Sequence, residues 1–502
     1  MNHNMTPLFT ALVKHAASDP LQFHIPGHKK GKGMDPEFRA FMGENALSID
    51  LINIVPLDDL HQPTGVIQEA EKLAADAFGA DFTLFSVQGT TGAIMTMIMS
   101  VCSPGDKIII PRNAHKSILS AVVLSGATPV FVTPVKDDRL GIDHGVTTES
   151  INCVLDQHPD AKAVLFINPT YYGTCVDLRE MVELVHSYGI PVLVDEAHGT
   201  LIHFHERLPM SAMQAGADMA ATSVHKLGGS LTQSSVLNVK GSRVDIGRIR
   251  TMMSMLTTTS TSYLLLASLD ASRRQLALRG RQMAEECIQL ANYARSQIND
   301  IPGLYCYGEE IRGTEGVFDY DPTKLCIHLQ SLGITGYEAE LWLRQECNIE
   351  VELSDLANIL CLVTLGDTRS EVNQLLLALQ RMSSLFSDRK VRNQLTPVPV
   401  PEAPKFLLSP RDAFYSETEK VLFKQSKGRI VTEFIYVYPP GIPILVPGQV
   451  ISQEIIDYII QHVEARLPVK GPEDPNIQEV KVVLNEQEEA VLKRKNSYII
   501  PD

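Results

Sequence analysis

Between residues 40 and 270 the chain alternates short apolar, β-rich runs with longer stretches of helical pattern. The runs fall at 83–87, 106–111, 128–134, 163–167, 190–194, 219–224 and 234–239. Pro191-Val192-Leu193-Val194 reads as a parallel strand covered on both faces. Such runs separated by helices predict βα units around a mainly parallel sheet. A long helical stretch, Ser272 to Ile298, then leads into a smaller α+β region ending near Asp388. Pro397, Pro399, Pro401 and Pro404 mark a linker over 391–404. The expected organisation is an N-terminal arm and large domain over 1–271, a small domain over 272–390, the linker, and a C-terminal domain over 405–502, with no internal repeat.

Composition narrows the function. At 502 residues there is length for two or three domains, and 44% hydrophobic with 21% charged residues describes an ordinary globular protein. A net charge of −15 argues against nucleic acid as a partner and suits a cationic substrate. The eight cysteines are scattered with no C-x-x-C pair, which points to reduced thiols in a cytoplasmic protein. The first residues lack the charged and apolar regions of a signal peptide, and no run approaches 18 apolar residues, so no membrane association is expected.

Three segments carry candidate chemistry. In Ser223-Val224-His225-Lys226-Leu227-Gly228-Gly229, a lysine follows an apolar run and is flanked by small residues. It is either a surface lysine in a Gly-rich turn or a desolvated amine fit to trap a carbonyl. In Val194-Asp195-Glu196-Ala197-His198, an aspartate ends a buried strand, where it caps a following helix or binds the protonated ring nitrogen of pyridoxal phosphate. Gln88-Gly89-Thr90-Thr91-Gly92 runs from a strand into an apolar helix and offers N–H groups and hydroxyls to an anion. No Walker A pattern occurs, so a nucleoside triphosphate is excluded. His115 follows another strand and could stack on a pyridine ring.

Taken together these segments resemble a known family. Ala221 to Ser235 is similar to the pyridoxal-phosphate signature of the bacterial ornithine/lysine/arginine decarboxylases, which have the aspartate-aminotransferase fold (fold type I). His24-Ile25-Pro26-Gly27-His28, Leu57-Asp58-Asp59-Leu60-His61, Thr257 to Tyr263, Asp321-Pro322-Thr323-Lys324 and Tyr438-Pro439-Pro440-Gly441 extend the match from about Phe23 to about Gly448. The resemblance implies pyridoxal 5′-phosphate as cofactor. Lys226 would hold its carbonyl carbon, Asp195 its ring nitrogen, and His115 and Ala197 its two faces. Gly89, Thr90, Thr91, Ser223 and His225 would hold its phosphate, with His198 nearby. Thr257 to Ser262 resembles a segment that reaches a neighbouring subunit's cofactor, implying a homodimer with shared sites. The family's larger members carry a receiver-like domain ahead of the His24 segment, and with 23 residues before it none is expected here. Two positions depart from the pattern: Gln449 where glutamate is usual, and Ala357 where an aromatic residue is common.

The implied reaction is decarboxylation of a basic amino acid. Overall similarity to the family's short biosynthetic branch implies arginine, giving agmatine for polyamine synthesis, with lysine second and ornithine third. Carboxylates able to take the distal cation are Asp58, Asp59, Glu352, Asp355 and Glu433. An aminotransferase or aldolase on the same fold, and an inactive regulatory homologue, are the competing classes; intact Lys226 and Asp195 oppose the last. His198, His203 and His205 could suggest zinc, but no HExxH or cysteine partner supports it, and no metal is expected.

Overall fold

The computed structural model describes residues 1–387, 401–402, 404–437, 442–464, 467–486 and 488. Most of the expected linker over 391–404, and all of Tyr438-Pro439-Pro440-Gly441, lie outside the described residues.

All seven apolar runs become strands of one sheet: β1 (Phe82–Ser86), β2 (Lys107–Pro111), β3 (Thr128–Val132), β4 (Ala163–Ile167), β5 (Val192–Asp195), β6 (Met219–Thr222) and β7 (Ser235–Val239). Their order is β1-β7-β6-β5-β4-β2-β3. Pairings from β3 through β6 are parallel, whereas β7 runs antiparallel to both β6 and β1. Both faces are covered, because Leu193 belongs to one apolar cluster while Val192 and Val194 belong to another. Parallel pairing brings the C-terminal strand ends to one side. Asp195 is there in register with Ile167 of β4 and Ala221 of β6.

A 37-residue helix, Tyr263–Asn299, crosses from this sheet to the small α+β region and is about 55 Å long. It starts earlier than the apolar pattern indicates, because the Ser262 hydroxyl caps it by accepting from Leu265 N at 3.4 Å. The boundary expected at 271/272 therefore falls inside one rigid element. Its buried side chains share a core with Leu8, Leu12, Leu325 and Ile327. The small region carries an antiparallel sheet of β8 (Tyr305–Cys306), β9 (Lys324–His328), β10 (Leu353–Ser354) and β11 (Asn358–Leu362), in the order β8-β9-β11-β10.

The C-terminal part has its own core, including Phe423, Val431, Ile455, Ile459 and Val482. It packs on the large domain through Tyr436 and Val446, which join the cluster around Ile108 and Leu119. Gln449 is buried at this seam. Its Oε1 accepts from Val446 N at 2.9 Å, and its Nε2 donates to the Pro404 carbonyl at 2.9 Å. A glutamate could not make the second bond, which accounts for the amide here. The Arg112 guanidinium reaches the Ile444 carbonyl (3.0 Å) and stacks on Phe131 (4.3 Å), with burial pulling its pKa down to about 10. The eight cysteines form no disulfide. Among the described residues no helix is long and apolar enough to cross a membrane.

The N-terminal helix Pro7–Ala17 is held by a buried ion pair. Asp270 accepts from Leu8 N (3.0 Å) and Phe9 N (3.2 Å), and its other oxygen takes Arg273 Nη2 at 2.7 Å. Arg273 also donates to the carbonyls of His3 and Met5. Arg273→Met leaves the Asp270 carboxylate buried without its cation. The expected cost is about 3 kcal/mol, read as a lowered urea midpoint at constant m-value.

Candidate active site

The chain leaves β6 at Thr222 and turns into the short helix Val224–Leu227, which presents Lys226 beside the end of β5. Ser223 heads the turn, and its carbonyl is fixed by Lys226 N at 3.1 Å and the Thr200 hydroxyl at 2.8 Å. Asp195 is buried at the strand end, with Oδ1 accepting from Ala197 N at 3.1 Å. Burial holds its carboxyl above the ordinary range, although His115 and Lys226 pull it down. Half-buried Ala197 follows directly.

The Lys226 amine lies 2.8 Å from His198 Nε2 and 5.8 Å from the centre of the Tyr171 ring. Desolvation lowers its pKa against the opposing pull of Asp195 and Glu352, which enlarges the neutral, nucleophilic fraction. His198 is buried, and its pKa is driven well down by burial and then by the charges of Lys324 and Lys226. The Tyr171 ring packs on His198 at 4.5 Å, and its hydroxyl donates to Glu352 Oε1 at 2.6 Å.

The turn at the start of the helix Gly89–Val101 adjoins this group. Gly89 has φ of +68°, a conformation favouring glycine, and its N–H reaches the Gln233 carbonyl at 2.9 Å. Thr90 Oγ1 bonds both the Ser223 hydroxyl and, at 2.9 Å, the Ser235 hydroxyl. Thr91 is exposed at the same helix start. His225 donates Nδ1–H to the Ser234 carbonyl at 2.8 Å. The Gly89 turn and the Lys226 turn are thus physically tied through Thr90 and Ser223. His115 caps the helix Lys116–Ser125, its Nδ1 accepting from Ser117 N at 3.3 Å, and it is within electrostatic reach of Asp195.

The five acids have different fates. Glu352 is exposed and hangs on Tyr171 beside the His198–Lys226 pair. Asp355 is buried and taken up by Tyr172, Asn358 and two backbone N–H groups. The Asp58 oxygens accept backbone N–H groups of Asp59, Thr64, Gly65, Ile67 and Gln68, while Asp59 accepts from His61 N and Asn53. Glu433 accepts from the backbone N–H groups of Glu473 and Lys481 in the C-terminal part. The three histidines go separate ways: His198 to lysines, His203 to Glu196 (2.6 Å) and His205 to Glu285 (3.0 Å). Among the described residues no group of His, Cys, Asp or Glu is arranged to hold a metal ion.

Sequence reading gave no role to two neighbours of this group, although Lys324 closes the segment Asp321-Pro322-Thr323-Lys324 that carries the resemblance. Tyr171 builds the wall behind Lys226, and Lys324 of β9 reaches His198 Nδ1 at 2.9 Å. The available signal for Lys324 was a lysine opening the otherwise apolar run Leu325-Cys326-Ile327.

Asp195 carries a stability cost, because the folded protein binds its proton more tightly than the unfolded chain does. The cost is absent below the ordinary carboxylate range and complete once pH exceeds the raised value. In cofactor-free protein, Asp195→Asn should therefore raise Tm by ~1 °C or more at pH 8, the gain fading towards pH 4, as followed by calorimetry.

Comparison with known proteins places this geometry. The Orn/Lys/Arg decarboxylase major domain matches residues 6–371, and the C-terminal domain of the same family matches residues 394–485. The chain is 61% identical to the arginine decarboxylase of Bacillus anthracis, over 95% of this chain and 97% of that protein. It is 60% identical to that of Bacillus subtilis, over 96% and 99%. Among solved structures, the lysine decarboxylase LdcF of Francisella novicida superposes with a TM-score of 0.83 at 21% identity, over 96% of this chain and 81% of that one. The fold is accordingly that of these decarboxylases, a mainly parallel large sheet with small and C-terminal regions. This chain belongs to the Orn/Lys/Arg decarboxylase family.

Proposed function

We propose that this protein decarboxylates L-arginine to agmatine and CO₂, with pyridoxal 5′-phosphate as cofactor, in polyamine biosynthesis in the cytoplasm. One observation carries the chemistry: the desolvated Lys226 amine and the buried Asp195 carboxylate lie at adjoining strand ends within electrostatic reach of each other, next to a hydroxyl-lined turn. The substrate choice rests on about 60% identity, over nearly the whole chain, to proteins named arginine decarboxylases.

The residues present fit the cofactor. Lys226 would hold its carbonyl carbon and Asp195 its ring nitrogen, with His115 and Ala197 against the two ring faces. Gly89, Thr90, Thr91, Ser223 and His225 would take the phosphate. When bound, pyridoxal phosphate supplies a cationic ring that accepts the electron pair of the breaking Cα–carboxylate bond. A buried carboxylate beside a ring nitrogen keeps a proton there. The walls of Tyr171, His198 and Lys226 exclude water from one side, and neutral Lys226 accepts and returns a proton near the substrate's Cα. Glu352 supports recognition of the distal guanidinium, since its bond to the Tyr171 hydroxyl holds a carboxylate near the His198–Lys226 pair. Asp58, Asp59, Asp355 and Glu433 serve the substrate less directly, through the backbone they hold.

A homodimer completes this reading. Phe23, Phe41 and Val55 are 97%, 88% and 100% exposed, an apolar load that a second copy would cover. Thr258, Thr259 and Ser260 are exposed and available to a neighbour's site. The division into 1–271, 272–390, 391–404 and 405–502 is retained as the proposed domain plan, the long helix bridging the first two.

Offered arginine, lysine and ornithine separately, the enzyme should yield agmatine; cadaverine without agmatine would show that lysine is the substrate. Lys226→Ala should lose both CO₂ release and the cofactor's bound absorbance band. Glu352→Gln should raise KM for arginine ~10-fold or more with a smaller change in kcat, measured by steady-state kinetics.

A further inference from the structure

Lys324 is the one fully buried lysine among the described residues. Its stem crosses Gly173, where an added Cβ would come within 2.7 Å of Lys324 Cδ. Gly173 has φ of +98°, so both space and backbone suit glycine there. At the far end, Lys324 Nζ lies 2.9 Å from His198 Nδ1, and His198 Nε2 lies 2.8 Å from Lys226 Nζ. Among the described residues no carboxylate comes within ion-pair distance of either amine. Two lysines are therefore joined through the two nitrogens of one buried imidazole.

Hydrogen-bond chemistry restricts the charge on this row. An ammonium only donates, and a neutral imidazole has one donor and one acceptor. With both bonds intact and His198 neutral, the two amines hold at most one extra proton between them. If Lys226 is the ammonium, it donates to Nε2, and Nδ1–H donates to a neutral Lys324. If Lys324 is the ammonium, the imidazole is in the other tautomer and Nε2–H donates to a neutral Lys226.

We propose that Lys324 is a positioning residue that takes the Lys226 proton through His198, freeing the Lys226 amine for attack on a carbonyl. The N–H bond of Lys226 breaks as Nε2–H forms, and Nδ1–H breaks as an N–H forms on Lys324. Net charge is unchanged and no water takes part. This rests on the reading of Lys226 as the carbonyl-binding lysine and assigns a task to a residue outside that reading.

The surroundings soften both ends of the row. The pKa of Lys324 is lowered to about 8 by burial and by the charge of Lys226, against the opposing pull of Asp321, Glu352 and Cys175. Lys226 is lowered by burial and opposed by Asp195 and Glu352. His198 is faced by Lys324, Lys226, His115 and His225, all of which disfavour a charged imidazole. A neutral imidazole between two softened amines is the condition for exchanging a proton by tautomerisation.

The test uses full-length cofactor-free protein and reads the Lys226 amine directly. Trace acetic anhydride is applied across pH 6–11, and acetylation of the Lys226 peptide is followed by mass spectrometry. Lys324→Met should move the Lys226 midpoint up by about one pH unit and cut labelling at pH 7.5 ~10-fold. In a His198→Phe background the same substitution should have no such effect. An unchanged midpoint in folded Lys324→Met overturns the proposal, and an upward shift that persists without His198 replaces the relay by direct charge repulsion. Should Lys324→Met fail to fold, ¹⁵N spectra of wild-type His198 decide: the relay requires its tautomer to change as Lys226 titrates, and a fixed tautomer overturns it. A bound absorbance band that survives Lys226→Ala would instead refute the carbonyl-binding role, leaving the labelling result intact.

Discussion

Ionisable groups withdrawn from water organise this molecule. Asp195, His198 and Lys324 are all buried at the C-terminal edge of the large sheet, where the two sheets and the turn after β6 meet. An isolated charge in such a place is prohibitive, so each group is either neutralised or shares charge with a neighbour. The carboxyl of Asp195 is pushed up while the amines and imidazole are pushed down. That tension suits the proposed binding of an anionic, ring-bearing cofactor and a cationic substrate. Groups displaced from their ordinary protonation states are also those able to exchange protons near neutral pH.

The fold was legible where local pattern and tertiary role agree. The seven apolar runs became the seven strands, because strands covered on both faces are apolar throughout and stand out against helical spacing. The long helix starts at Tyr263, ahead of the helical stretch read from Ser272, because Ser262 caps it. Lys226 and Asp195 stood out as candidates because a lysine among glycines and an acid at a strand end are chemically conspicuous. Tyr171 and Lys324 were given no role for the opposite reason. They come from the loop after β4 and from β9 of the small region, and only folding brings them to His198.

The acids illustrate the same limit. Five carboxylates carried equal weight in the sequence, yet burial and hydrogen bonding separate them. Asp58 organises a turn by accepting five backbone N–H groups, and these outweigh the effect of burial to hold its pKa below the usual range. Asp355 knits Tyr172 to Asn358. Glu352 alone of the five reaches the Lys226 neighbourhood through a side-chain partner, Tyr171. Which carboxylate is free for chemistry depends on competing donors, and those are set by contacts across more than 180 residues for both tyrosine–acid pairs.

The Asp270–Arg273 clamp has a consequence for biogenesis. Leu8 and Asp270 are 262 positions apart, so at about 5–20 residues per second the ribosome makes the anchor roughly 13–50 s after the segment it secures. Over that interval Leu8 and Leu12, fully buried in the finished protein, have no native partner on the long helix. The first helix is thus a late docking element, and the nascent chain must be kept from aggregating through it until more than half the polypeptide has emerged.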